Sequence, residues 1–274
     1  MSVIICLNGS FVHAEDARIS ALDEGLLYGY GLFETILVRD GIPLLLEPHL
    51  RRMEEGARTI GIAMPFTVGE IGELVVETIS RNGVGSGSVR ITLFAGATPD
   101  VSNLVILTRP PRYGEEQKAR GFRACIASSR RNEHSILSRV KSLNYLENIL
   151  ARREALSKGF DEAIFLNTSG YLSEGSATNV FLVKGGVLIT PSEDQGILPG
   201  IMRELVIRVC KEHGIRVVER RVEVQELLRS DEAFLTNSLM EVMPLVQVEG
   251  HGIGSGKPGD LTMWLDMEVR SVVR

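Results

Sequence analysis

The sequence predicts a mixed α/β fold, α+β in character, organised as two domains. Three observations carry this. Short runs rich in Val, Ile, Leu and Phe recur between Asn-Gly, Asp-Gly and other glycine-containing turns, the pattern of short strands. Longer stretches place apolar residues three and four apart, the pattern of helices with one buried side. Between the two halves, Arg109-Pro110-Pro111-Arg112-Tyr113-Gly114 interrupts both patterns, because paired prolines cannot continue a central strand. With 274 residues and 44% hydrophobic content, the chain can build one large core or two medium ones. The expected organisation is an N-terminal α/β domain over 1–112, a linker over 113–120 and a C-terminal α/β domain over 121–274.

In chain order, residues 4–7 and 11–12 flank Asn8-Gly9, which predicts an opening hairpin. A second is expected where 32–38 meets 42–46 across Asp40-Gly41. Pro48 suits the first turn of a helix on which Leu50, Met53, Ala57 and Ile60 form one stripe. Another helix is expected over 68–79, then strands over 88–95 and 103–108. Past the break, 121–128 reads as a strand and 144–158 as a helix, with Leu146, Ile149, Leu150 and Leu156 mainly on one side. Short strands at 163–166, 179–183 and 187–189 follow. A helix starting near Pro199-Gly200 can bury Ile201, Leu205, Val206 and Val209, and segments at 216–220, 224–228 and 233–236 complete the second half.

Composition narrows the function classes. Thirty basic against 35 acidic side chains give a net charge of −5, which argues against a nucleic-acid surface and leaves small molecules as the expected partners. No apolar run is long enough to cross a bilayer, and the N-terminal residues lack a secretory pattern. Cys6, Cys125 and Cys210 are too few and too scattered for a disulfide framework or a metal site. A cytoplasmic protein without metal, nucleic-acid or membrane partners is the expectation.

One chemistry stands out. A lone lysine is ordinarily a solvated surface charge, but Lys141 lies in Lys141-Ser142-Leu143-Asn144-Tyr145, at the start of an expected helix. An enclosed lysine amine can join covalently to a carbonyl cofactor such as pyridoxal phosphate and later carry a proton. That cofactor also needs a carboxylate for its pyridine nitrogen, which Glu174 can supply, and donors for its phosphate. Gly196-Ile197-Leu198-Pro199-Gly200-Ile201-Met202-Arg203 leads into a helix whose free backbone N–H groups suit an anion. Arg52 can add a forked cation and Ser238 a hydroxyl.

Together with Tyr28-Gly29-Tyr30-Gly31-Leu32-Phe33-Glu34-Thr35, His49-Leu50-Arg51-Arg52-Met53 and Glu174-Gly175-Ser176-Ala177-Thr178-Asn179, these blocks resemble the ordered signatures of the class IV aminotransferase family over nearly the whole chain. The resemblance implies a two-domain, fold-type IV, D-amino-acid aminotransferase-like architecture, pyridoxal 5'-phosphate as cofactor and a homodimer acting on a small amino substrate. By it, Lys141 carries the cofactor, Glu174 faces the pyridine nitrogen, and Arg52, the Ile201 and Met202 amides and Ser238 hold phosphate. Tyr28, Tyr30, Phe33 and Tyr145 are the expected substrate-pocket residues. Within the family, Gly200-Ile201-Met202-Arg203 and the methionine-rich segment after Asn237 look most like the 4-amino-4-deoxychorismate lyase branch, in which Thr35 matches a substrate-side threonine. The implied reaction is conversion of 4-amino-4-deoxychorismate to 4-aminobenzoate and pyruvate, with Lys141 or Thr35 moving the second proton. The alternative is an aminotransferase for branched-chain or D-amino acids.

Overall fold

Asn8 and Gly9, both at positive φ (50° and 81°), turn β1 (Ile4–Leu7) back onto β2 (Ser10–His13). The fold is described from a computed structural model covering residues 3–273. Two units emerge: the chain up to Arg112 together with Val140–Asn144, and Tyr113–Arg139 together with the chain from Tyr145 onward.

The first unit continues through α1 (Glu24–Tyr28), β3 (Gly31–Arg39), β4 (Ile42–Pro43), α2 (Leu46–Ile60), α3 (Val68–Arg81), β5 (Ser86–Ala95) and β6 (Ser102–Arg109). Its six strands form an antiparallel sheet in the order β2-β1-β6-β5-β3-β4. Side chains alternate across the pleat. Leu32, Ile36, Val38, Val89, Ile91, Leu93 and Ile106 therefore share one buried core with Leu50, Met53 and Ala57 of α2 and Ile71, Val75 and Ile79 of α3. Thr67 and Glu70 close a reciprocal capping box at the start of α3. The second expected hairpin is shorter than its pattern: Leu45, at φ 55°, turns the chain out of the strand, and α2 begins at Leu46.

Segment 140–144 closes the edge of this unit. Lys141 C=O accepts from Phe33 N–H at 2.9 Å and Gly31 C=O accepts from Leu143 N–H at 2.8 Å, with Ser142 opposite Leu32. A lysine distant in sequence is thereby fixed to β3 by backbone bonds.

The second unit comprises α4 (Glu115–Arg120), β7 (Phe122–Arg131), α5 (Leu146–Ser157), β8 (Glu162–Asn167), β9 (Leu172–Gly175), β10 (Asn179–Lys184), β11 (Val187–Pro191), α6 (Ile201–Glu212), β12 (Val217–Arg220), α7 (Val224–Leu228), β13 (Glu232–Asn237), β14 (Glu241–Val248), β15 (His251–Gly252) and α8 (Asp260–Val272). The mixed sheet runs β12-β11-β10-β13-β14-β7-β8-β9, with β15 on β14. It curls, so that β9 returns to touch β10 and β11. Phe181 and Phe234 stack at 4.9 Å between ring centroids on adjacent strands.

The fold departs from expectation in two places. The stretch 113–120 is no linker: six of its residues form α4, where Lys118 is buried and ion-paired with Asp266. A buried charge with a partner in the second unit anchors the segment there. On α5 it is Asn148, Ala151 and Ala155 that face inward. Leu146, Ile149, Leu150 and Leu156 remain 66%, 43%, 54% and 54% exposed, because small side chains bring the helix close against β7 and β8 and leave the apolar stripe outside. No helix among the described residues is long and apolar enough to cross a membrane.

Candidate active site

In the first unit, the pairing of Lys141 with Phe33 puts both side chains on the sheet face away from α2 and α3. Lys141 Nζ lies 4.5 Å from the Phe33 ring centroid, and the Arg90 guanidinium lies 3.9 Å from the same centroid, both within cation–π range. Arg90 is directly opposite Thr35 in the β3–β5 register, so Thr35 shares that face. An amine, a guanidinium, a hydroxyl and an aromatic wall are thus collected on one surface.

The other face of β3 holds a buried charge cluster. Glu34, 0% exposed, accepts from Arg52 Nε (2.8 Å) and Nη2 (2.7 Å) and from His49 Nδ1 (2.6 Å). Burial pushes the Glu34 carboxyl up, but the charges and hydrogen bonds of Arg52 and His49 prevail and hold it well below the usual carboxylate range. Burial drives His49 down against the opposing pull of Glu34. The neutral ring then donates from Nδ1, leaving Nε2 buried without a hydrogen-bond partner. Tyr30 points to this side too: its hydroxyl donates to Ile60 C=O at 2.5 Å and its ring packs on the core. Within the first unit, the Tyr30 side chain is thus engaged by the core. Tyr28 stands exposed at the end of α1.

In the second unit, Glu174 Oε2 accepts from Leu198 N–H at 2.8 Å, and Oε1 lies 3.4 Å from Arg131 Nη2. Arg131 also donates to Glu147 and covers the Phe165 ring, while its Nε and Nη2 are buried without a hydrogen bond. Leu198 belongs to the turn that leads into α6. At Gly200 a Cβ would fall 2.0 Å from Asn179 Oδ1, so only glycine admits the contact by which Asn179 Nδ2 donates to Leu198 C=O at 3.0 Å. Gly200 offers no side-chain cap, and the N–H groups of Ile201 and Met202, at the first turn of α6, have no acceptor within the helix, a geometry that suits an anion. Ser238 is half-buried in a turn where Asn237 Oδ1 accepts from the N–H groups of Leu239 and Met240. Tyr145 donates its hydroxyl to Ser176 C=O at 2.9 Å. Burial, reinforced by Glu174 and Glu162, pushes its phenol upward.

Sequence reasoning missed Glu34, Arg90 and Arg131. Glu34 left a readable signal, a carboxylate at the core-facing position of an alternating strand between Leu32 and Ile36. Arg90 and Arg131 left none, because strand register and side-chain approach bring them into place.

The chain matches the amino-transferase class IV family over residues 31–248. It belongs to that family. It is 36% identical to a Methanocaldococcus jannaschii protein named as a candidate branched-chain-amino-acid aminotransferase, over 98% of this chain and 96% of the other. Identity to the aminodeoxychorismate lyase of Bacillus subtilis is 32%, over 99% and 95%. Among solved structures, a branched-chain aminotransferase from the archaeon Thermoproteus uzoniensis, with norvaline, superposes with a TM-score of 0.91 at 32% identity, covering 99% of this chain and 95% of that one. Another solved branched-chain enzyme holds pyridoxamine 5'-phosphate. Further branched-chain and D-alanine aminotransferases match along nearly their full length. These findings overturn the expected lyase assignment. One lyase stands among relatives that are otherwise branched-chain and D-alanine aminotransferases, and the solved structures named above are aminotransferases.

This class IV enzyme is a pyridoxal-phosphate-dependent protein of fold type IV, and each unit by itself holds groups of the kind the cofactor needs. The first unit has an amine at Lys141 and a cation at Arg52. The second unit has the Glu174 carboxylate, the uncapped start of α6 and the Ser238 hydroxyl.

The turn before α6 also carries a pH-dependent contact. Glu133, beside Gly196, accepts from Thr168 N–H and Oγ1 and from Ser169 Oγ. Burial raises its carboxyl, yet the hydrogen bond from its own backbone N–H, together with those from Thr168 and Ser169, prevails and holds the pKa at about 2, against an ordinary 4.5. A folded-state value below the unfolded one contributes stability that is complete above pH 4.5 and lost as pH falls towards about 2. Glu133→Gln is expected to lower stability at pH 7 and flatten the acid limb of unfolding midpoints over that window. A wild-type slope in the variant would remove Glu133 as its source.

Proposed function

We propose that the enzyme transfers amino groups between branched-chain L-amino acids and a 2-keto acid. The observation that carries this is the surface where Lys141 Nζ and the Arg90 guanidinium flank one Phe33 ring. An amino acid needs a base at its α-carbon, a cation for its carboxylate and an apolar wall for its side chain. Lys141, Arg90 and Phe33 meet these three needs.

Bound pyridoxal phosphate supplies the conjugated electron sink that makes the α-proton acidic. Lys141 would hold the cofactor through Nζ, and the same amine would serve as the base that takes and returns the α-proton of the amino acid. Arg90 orients the carboxylate, with Thr35 beside it as a hydroxyl donor. Glu174 would pair as an anion with the pyridine nitrogen, with Tyr145 beside the cofactor. Arg52, the Ile201 and Met202 N–H groups and Ser238 Oγ would hold the phosphate.

A homodimer is part of the proposal. The exposed stripe on α5, and separately the exposed Leu26, Leu27 and Tyr28 of α1, are apolar surface of the kind that subunits bury. Tyr28 is then offered to the partner's pocket. The buried free thiols of Cys6, Cys125 and Cys210, the last raised by burial to about 11, support a reducing, cytoplasmic setting.

The half-reaction tests this reading. Protein loaded with pyridoxal phosphate, given L-leucine, L-isoleucine or L-valine, is expected to yield the matching 2-keto acid and pyridoxamine phosphate in equal amounts, with 2-oxoglutarate restoring the start. Turnover of D-alanine with none of the L-amino acids would shift the substrate class. No conversion with any amino acid would overturn transamination.

A further inference from the structure

We infer that Glu34, braced by His49, is a positioning residue that sets the guanidinium of Arg52 for the cofactor phosphate. This rests on the proposed phosphate role of Arg52 and deepens it.

A fully buried carboxylate is costly unless it is paired with good geometry. At Glu34 the geometry is supplied from one helix face. His49 and Arg52 are three residues apart on α2, so their side chains reach β3 together. Arg52 donates through Nε and Nη2 to separate oxygens, Oε1 at 2.8 Å and Oε2 at 2.7 Å. A two-point fork fixes the plane of a guanidinium, whereas one bond leaves it free to turn. His49 Nδ1 also donates to Oε2, so the carboxylate is itself held by a second donor besides the fork.

Charge alone would argue against this carboxylate. Glu34 neutralises Arg52 and repels a phosphate dianion, so a site built only for attraction would do better without it. Positioning and attraction therefore predict opposite outcomes for Glu34→Gln. The amide keeps the volume of the carboxylate, removes the charge, and turns one acceptor into a donor that faces a guanidinium N–H. Attraction predicts tighter phosphate binding; positioning predicts weaker binding.

Enzyme stripped of cofactor with hydroxylamine and reloaded gives the measurement, with dissociation constants for pyridoxal phosphate and for pyridoxal, which lacks the phosphate. Glu34→Gln is expected to weaken pyridoxal phosphate about tenfold, the worth of one charge-assisted hydrogen bond, and to leave pyridoxal within about twofold. Glu34→Asp, which keeps the charge but withdraws the fork, is expected to show the same selective loss. Loss shared equally by both ligands would reveal a merely structural role and overturn the inference. Unchanged or tighter pyridoxal phosphate binding in Glu34→Gln, or full affinity in Glu34→Asp, would overturn it as well. Arg52→Lys separates the two layers: selective loss there without loss at Glu34 rejects the inference alone, and no loss at Arg52 rejects the phosphate role beneath it.

Discussion

Lys141→Ala is expected to abolish covalent capture of the cofactor by borohydride and to reduce turnover by roughly 10³-fold or more, because in the proposed assignment one amine serves as both attachment point and proton carrier. The backbone role of residue 141 survives the change, since its C=O still accepts from Phe33 N–H, and the edge of β3 remains paired. Loss of activity therefore comes with an unfolding midpoint close to that of the parent protein. What disappears from the sheet surface is the ammonium above Phe33, and Arg90 does not replace it, because a guanidinium stays protonated and cannot take up a proton at neutral pH. Mass spectrometry of the reduced, digested protein checks the site directly. Cofactor mass retained on another lysine in the variant would contradict the assignment.

Glu174→Gln is expected to lower turnover roughly 10²-fold at full cofactor occupancy, the scale seen when one electrostatic group aimed at developing charge is removed. The amide oxygen can still accept from Leu198 N–H, so the turn before α6 keeps its tie to β9. The change is confined to charge. Arg131, 3.4 Å from Oε1, loses its anionic neighbour, and in the proposed assignment the pyridine nitrogen would lose the anion that favours its protonated form. Glu174→Ala is the harsher test, because it leaves Leu198 N–H without its carboxylate acceptor and is expected to weaken cofactor binding as well. Parental turnover in Glu174→Gln at full occupancy would remove the electronic role and leave Glu174 as a tether for the turn.

The early hairpin, the α2 stripe and the buried face of α6 were readable because each depends on neighbours a few residues apart, where periodicity and turn chemistry act. Family membership was readable through the order of the motifs around Lys141, Glu174 and the Gly196 to Arg203 turn, and not through anything local to a single lysine or glutamate. The choice of branch was misread: Met202 lies at the start of α6, where backbone N–H groups can serve an anion whatever the side chain, so a methionine there says little about the reaction.

Local sequence was enough to dictate the alternating strands, the helical stripes, the mixed two-part character of the chain and the residue types a pyridoxal-phosphate enzyme needs. It could not dictate which side of α5 is buried, that 113–120 belongs to the second unit, that Tyr30 faces the core, or that Glu34, His49 and Arg52 form one cluster while Phe33 meets both the Lys141 amine and the Arg90 guanidinium. Those features waited on the closed fold, and the difference is one of range. Propensity and periodicity act over one or two turns of chain, whereas burial, ion pairing and strand register depend on groups tens of residues apart, whose approach is settled only when each sheet and its covering helices close together.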